Sequence, residues 1–163
     1  VHKVYHERVF SGIWVILTSL LGLTMLGAVV YDRIFGVFGV PLATWTFLGT
    51  GIFLLLASVN LAFLSVTVST CGVTTRFGLV SHTVPPDAIA ETYQDKASSV
   101  AYGGFGIRFG WVNGKRRLVY SVVNTPRVVV QEGHASDHEF VFSTRNPEAV
   151  MRAIRQVSRL SGK

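Results

Sequence analysis

The hydrophobic pattern changes character along this chain. From Gly12 to Tyr31 (GIWVILTSLLGLTMLGAVVY) and from Leu42 to Leu64 (LATWTFLGTGIFLLLASVNLAFL) it is continuously apolar, with no Asp, Glu, Lys, Arg or His in either stretch. Each is long enough to cross a bilayer core of about 30 Å as a helix of roughly 20 residues. The expectation is a two-helix transmembrane hairpin turning through Asp32 to Pro41. A cleaved signal peptide is the alternative for the first stretch, since basic residues precede it. Its length and the second apolar stretch argue for the hairpin. Trp14, Tyr31 and Trp45 fall near span ends, where amphipathic rings prefer the interface.

Beyond Leu64 the pattern becomes short and alternating. Val66 and Val68, then Val73, Phe77 and Leu79, flank Cys71 and Gly72 and predict two strands joined by a tight turn. Pro85, Pro86 and Asp87 stop the second strand, and DAIAETYQ reads either as a short turn of helix or as an irregular crossing. YGGFGIRFGW (Tyr102 to Trp111) predicts a bent strand with Ile107, Phe109 and Trp111 on one face and Tyr102, Phe105 and Arg108 outward. Its glycines miss the dinucleotide fingerprint by one residue, and no helix follows to receive a pyrophosphate. Further strands are expected at Arg116 to Val123, Arg127 to Glu132 and Glu139 to Thr144, with Asn113-Gly114 as the strongest turn signal. A helix closes the order: Asn146 suits an N-cap, Pro147 the first turn and Glu148 the positive dipole end, with Val150, Ile154 and Val157 on one apolar face. The fold class is thus α+β, with residues 1–64 as N-terminal segment and hairpin and 65–163 as a β domain capped by an amphipathic helix.

This soluble part resembles the bacterial pleckstrin-homology-like domains of small membrane proteins. The residues that carry the resemblance are the first hairpin VTVSTCGVTTRFG, the proline-bearing crossing TVPPDAIAETY, the segment YGGFGIRFG, and FSTRNPEAVMRAI near the end, covering about Val66 to Ile154. It implies a bent antiparallel sheet of about seven strands with a capping helix, and no enzymatic activity.

Charge then narrows the picture. The net charge is +6, and twelve of the fifteen Lys and Arg follow the second span, against seven Asp and Glu there. Lys3 and Arg8 precede the first span, and Arg33 in the turn is offset by Asp32. Retention of positive charge inside predicts both termini cytoplasmic, in a bacterial inner membrane. Arg152, Arg155 and Arg159 on the last helix, with Lys115, Arg116 and Arg117 at the Asn-Gly turn, suit anionic lipid or a protein partner, as do Tyr102, Phe105 and Arg108. Nucleic acid is not expected beside a membrane tether.

Within the spans, Thr18 with Gly22 and Ser58 with Ala62 make small-residue pairs for helix packing, and Asn60 wants a partner or headgroup water. Uncharged spans argue against an ion pathway. His134 with His138, and His2 with His6 where a helix is the more plausible setting, are the only spacings suggestive of metal. The first pair, beside Asp137 and Glu139, lies in a polar turn entering a strand, where i and i+4 ligands do not converge, and the second, with Glu7, shows no evident further ligand, so no metal or cofactor is expected. Cys71 is the sole cysteine, which excludes an internal disulfide. The functional expectation is a non-catalytic accessory subunit of a larger membrane complex, for example a respiratory one; the alternative is a stand-alone sensor of anionic lipid or another ligand.

Overall fold

The structure, a computed structural model, describes residues 3–97, 104–112, 114–133 and 138–161. It divides into two compact units: Ser11–Ala62, and the chain on either side of that segment.

The first unit is a helical hairpin. α1 (Ile13–Phe35) runs past the expected end at Tyr31, so Asp32 and Arg33 belong to its last turn. Gly36 stops it in the left-handed region (φ 65°), its N–H bonding the Asp32 carbonyl at 2.7 Å. The Asp32 carboxylate then accepts from the Phe38 N–H and the Thr44 hydroxyl, both at 2.7 Å, clasping the turn. α2 (Pro41–Asn60) starts on a proline, whose missing N–H costs nothing in a first turn. It ends at Asn60, four residues short of the expected Leu64, because Phe63 and Leu64 are taken into a strand. Asn60 is therefore the last helical residue, and Ala62 lies outside the helix.

The two helices pack through small residues. Gly22 and Gly51 are buried against each other, and a Cβ on Gly22 would stand 3.1 Å from the Gly51 carbonyl oxygen and from Leu55. One turn away the Thr18 and Ser58 hydroxyls share a hydrogen bond of 2.6 Å. The Thr24 and Thr46 hydroxyls return to their own helices, donating to the Leu20 and Leu42 carbonyls at 2.9 and 2.8 Å. The outer faces are apolar: Ile16, Leu20, Leu23, Phe53 and Leu56 are all exposed.

The second unit holds two sheets. The first has order β1-β2-β3-β4, all antiparallel, built from β1 (Lys3–Phe10), β2 (Phe63–Ser69), β3 (Gly72–Phe77) and β4 (Val80–Val84). β1 corrects the helical expectation for the segment before the hairpin. Its inner row, Tyr5, Glu7 and Val9, includes a carboxylate, and its outer row ends on Phe10, so no clean alternation announced a strand. Glu7 is held inside because its carboxylate accepts from Tyr5 (2.8 Å), the Thr144 hydroxyl (2.6 Å) and the Arg145 N–H (2.8 Å). Val9, Leu64, Val66, Val68, Val73, Phe77 and Val84 complete the inner face and are all but fully buried. Each such side chain stabilises the fold by roughly 1.5–3 kcal/mol.

The second sheet has order β5-β8-β9-β7-β6: β5 (Ile89–Gln94), β6 (Gly106–Val112), β7 (Lys115–Ser121), β8 (Arg127–Glu132) and β9 (His138–Ser143). A 3₁₀ turn at Pro86–Ala88 leads into β5, where the sequence left a helical turn and an irregular crossing open. β7 and β9 are parallel, so the sheet is mixed where an all-antiparallel one was expected. Nine strands, against the implied seven or so, are present among the described residues, because β1 joins from before the hairpin and residues 80–84 and 89–94 are both extended. α3 (Pro147–Ser161) closes the unit, its Asn146 carboxamide accepting the Ala149 N–H at 3.2 Å. Val150, Ile154 and Val157 are buried beneath it, while Arg152, Arg155 and Arg159 remain exposed.

Candidate functional site

The second sheet places its charged residues in register. β7 and β9 run parallel with Arg117 beside Glu139, and alternate residues on these strands share a face. That face also holds the buried valines Val119, Val129 and Val141. Arg117, Arg127 and Glu139 are therefore core positions occupied by charge.

They survive burial by satisfying one another. The Arg117 Nε donates to Glu139 at 2.6 Å, and its two terminal nitrogens reach Asp95 at 3.4 Å and the Tyr93 hydroxyl at 3.3 Å. Tyr93 in turn donates to Glu139 at 2.9 Å, as does Lys115, also at 2.9 Å. Arg127 donates to Asp95 at 2.9 Å and to the Ala97 carbonyl. Burial alone would push the Glu139 carboxyl up. The hydrogen bonds from Lys115, Tyr93 and Arg117 outweigh it and hold the group below the usual carboxylate range. The Tyr93 phenol is pushed up to about 12, by burial first and by its bond to Glu139 second.

This network alters the expected binding set. Arg117 is 5 % exposed and committed to two carboxylates, so it is withdrawn from any surface role. Lys115 is paired to Glu139 and only partly open to solvent. Arg116, on the opposite face of β7, is exposed, with its guanidinium 4.9 Å over the Trp111 ring.

β6 is an edge strand, and its Phe109 and Trp111 side chains are uncovered. Ile107, Phe109 and Trp111 do share a face, opposite Tyr120, Leu118 and Arg116 of β7. Phe109 is 86 % and Trp111 65 % exposed, so these two rings, more than the half-buried Phe105, form the aromatic surface. Arg108 is exposed on the other face, its Nε bonding the Phe105 carbonyl at 3.3 Å. Tyr102, His2 and His134 lie outside the described residues.

Phe109 and Trp111 border a hollow of about 310 Å³ that reaches His82, Glu132 and His138. The volume is at the lower end for a small-molecule site. His82 stands 3.2 Å from Glu132 with its ring packed on Phe140. Among the described residues no three of His, Cys, Asp and Glu stand close enough to hold a metal ion. The lining combines the aromatic Phe109 and Trp111 with the polar His82, Arg116, Glu132 and His138, a mixture suited to binding. No family model, no curated protein and no solved structure matches this chain.

Proposed function

We propose that this chain is a membrane-anchored, non-catalytic binding protein: α1 and α2 cross a bacterial cytoplasmic membrane as a hairpin, and the β unit works on the cytoplasmic side as part of a larger membrane assembly. The observation that carries the reading is the pair of long apolar helices, whose exposed side chains are mostly hydrocarbon and whose Thr18, Thr24, Thr46 and Ser58 hydroxyls are hydrogen-bonded within the hairpin. Lys3 and Arg8 before α1, and the basic excess after α2, favour cytoplasmic termini. The strand-rich order closed by α3 supports the pleckstrin-homology-like kinship of the β unit, with β1 and the parallel β7–β9 pair as additions to that pattern.

The binding surface of the β unit is the aromatic rim Phe109, Trp111 and Arg116, which combines the residue types enriched where proteins meet. Exposed Arg152, Arg155 and Arg159 form a second, purely electrostatic face for anionic headgroups. Extraction of the tagged full chain from its native membrane in mild detergent, followed by mass analysis, tests the reading. A stoichiometric membrane-protein partner is expected, lost on Trp111→Ala with Phe109→Ala. A chain that emerges alone contradicts it.

A further inference from the structure

We infer that the Phe77–Val80 turn of the first sheet, together with Phe10, Phe63, Arg8 and Arg76, is a membrane-interfacial foot that dips into the headgroup layer of the bilayer. The inference rests on the hairpin crossing a membrane and goes beyond it by assigning a lipid contact to the β unit.

The register carries the argument. Phe10 pairs with Phe63, Val9 with Leu64, Leu64 with Phe77, and Phe77 with Val80. The turn through Gly78 and Leu79 is thus at the same end of the sheet as Phe10 and Phe63. That end is also where the chain enters and leaves the hairpin. Only Ser11 and Gly12 separate Phe10 from α1, and only Leu61 and Ala62 separate α2 from Phe63. Each two-residue connector spans at most about 7 Å of extended chain. The headgroup layer of a bilayer is itself several ångströms deep, about 5–8 Å on each side of the hydrocarbon core.

The side chains at that end match such a layer. Leu79 at the turn is 83 % exposed, and on the outer face Phe63 is 50 % and Phe10 41 % exposed, their rings 5.4 Å apart; Val80, 48 % exposed, pairs with Phe77 on the inner face. Gly78 at φ 57° supplies the first residue of the two-residue turn that thrusts Leu79 outward. Behind the rings, on the same outer face, the next row across the sheet is Arg8, Ser65, Arg76 and Ser81. Both arginines are exposed, and Arg76 folds back to donate to the Gly78 carbonyl at 2.7 Å. Apolar and aromatic tips with cations one row behind them place hydrocarbon below phosphate and guanidinium at phosphate level. Further from that end the outer face turns to His6, Thr67, Thr74 and Thr83, hydrogen-bonded among themselves.

Single-cysteine labelling of the full chain in vesicles containing anionic lipid tests this. Cys71 sits at the opposite turn of β2–β3, about 17–20 Å along the strands, and is an exposed internal reference. An environment-sensitive dye is placed at Leu79→Cys, or at Ile52→Cys within α2, each in a Cys71→Ser background. The dye at position 79 is expected to be quenched several-fold more by lipid-borne nitroxide, and several-fold less by aqueous iodide, than the dye on Cys71. The double variant Arg8→Glu with Arg76→Glu should bring position 79 back to the Cys71 level. Equal iodide access at 79 and 71, with position 52 protected, overturns the foot while leaving the hairpin in the membrane. Iodide access at position 52 overturns the hairpin and the foot together.

Discussion

Replacing Glu139 by Leu removes the acceptor on which the buried network converges. Its side chain is fully buried and takes hydrogen bonds from Arg117, Lys115 and Tyr93. Without it, the Arg117 guanidinium stays buried with Asp95 as its remaining carboxylate, at the longer distance of 3.4 Å. Breaking one partner of a buried ion pair costs about 3–5 kcal/mol. Lys115 is 35 % exposed and turns to water, adding less than about 1 kcal/mol. Glu139→Gln keeps one acceptor oxygen for Arg117 and should cost about half as much, near 2 kcal/mol. The assay is urea unfolding of the full chain in detergent, followed by Trp111 fluorescence with Trp14 and Trp45 replaced by Phe. For a slope of about 1.5 kcal/mol per molar, Glu139→Leu lowers the midpoint by roughly 2 M or more. A midpoint within about 0.3 M of the parent would show that the network carries no such weight.

The same network sets pH limits, and other packing contacts give sharper structural tests. The folded Glu139 carboxyl lies below its unfolded value, so its contribution is present above about pH 4.5 and fades as pH falls through the folded value; Glu139→Gln should flatten that acid limb of the urea midpoint. Tyr93 runs the other way: its folded value near 12 exceeds the unfolded 10, so its stabilisation is complete below pH 10, declines between 10 and 12, and is absent in Tyr93→Phe. Glu7→Ala frees β1 from Thr144 and Arg145 and should cost about 2 kcal/mol, read by faster amide exchange in residues 3–10. Gly72→Ala should fail to accumulate as folded protein, since its backbone sits at φ 117° and the new Cβ would meet the Val84 carbonyl oxygen at 2.1 Å.

The parts of the fold that follow from local pattern were readable. Charge-free apolar runs announced both helices of the hairpin, and the β8 strand at Arg127–Glu132 and the capping helix with Asn146 at its start stand where sequence signals put them. What escaped depends on pairing across long sequence distances. β1 belongs to a sheet whose next strand lies more than fifty residues on, and its inward Glu7 is explained only by Thr144 and Arg145. Arg117 looked like one of three surface cations at a turn. Its spacing of two from Val119, repeated by Glu139 with Val141 and Arg127 with Val129, was the available clue that these charges point inward. Nothing local predicts which inward charges will meet. The parallel β7–β9 register decides that. The shared face of Phe109 and Trp111 was likewise legible, but its exposure reflects the place of β6 at the sheet edge.

Two-sided labelling tests directly whether the hairpin crosses a membrane with the β unit inside. Cys71 of the native chain and a cysteine at Phe38, in the turn between the helices, are probed in intact cells and in inverted membrane vesicles with a maleimide that cannot cross lipid. Position 38 is expected to react only from outside the cell and Cys71 only in inverted vesicles. Labelling of both positions from the same side would contradict that crossing.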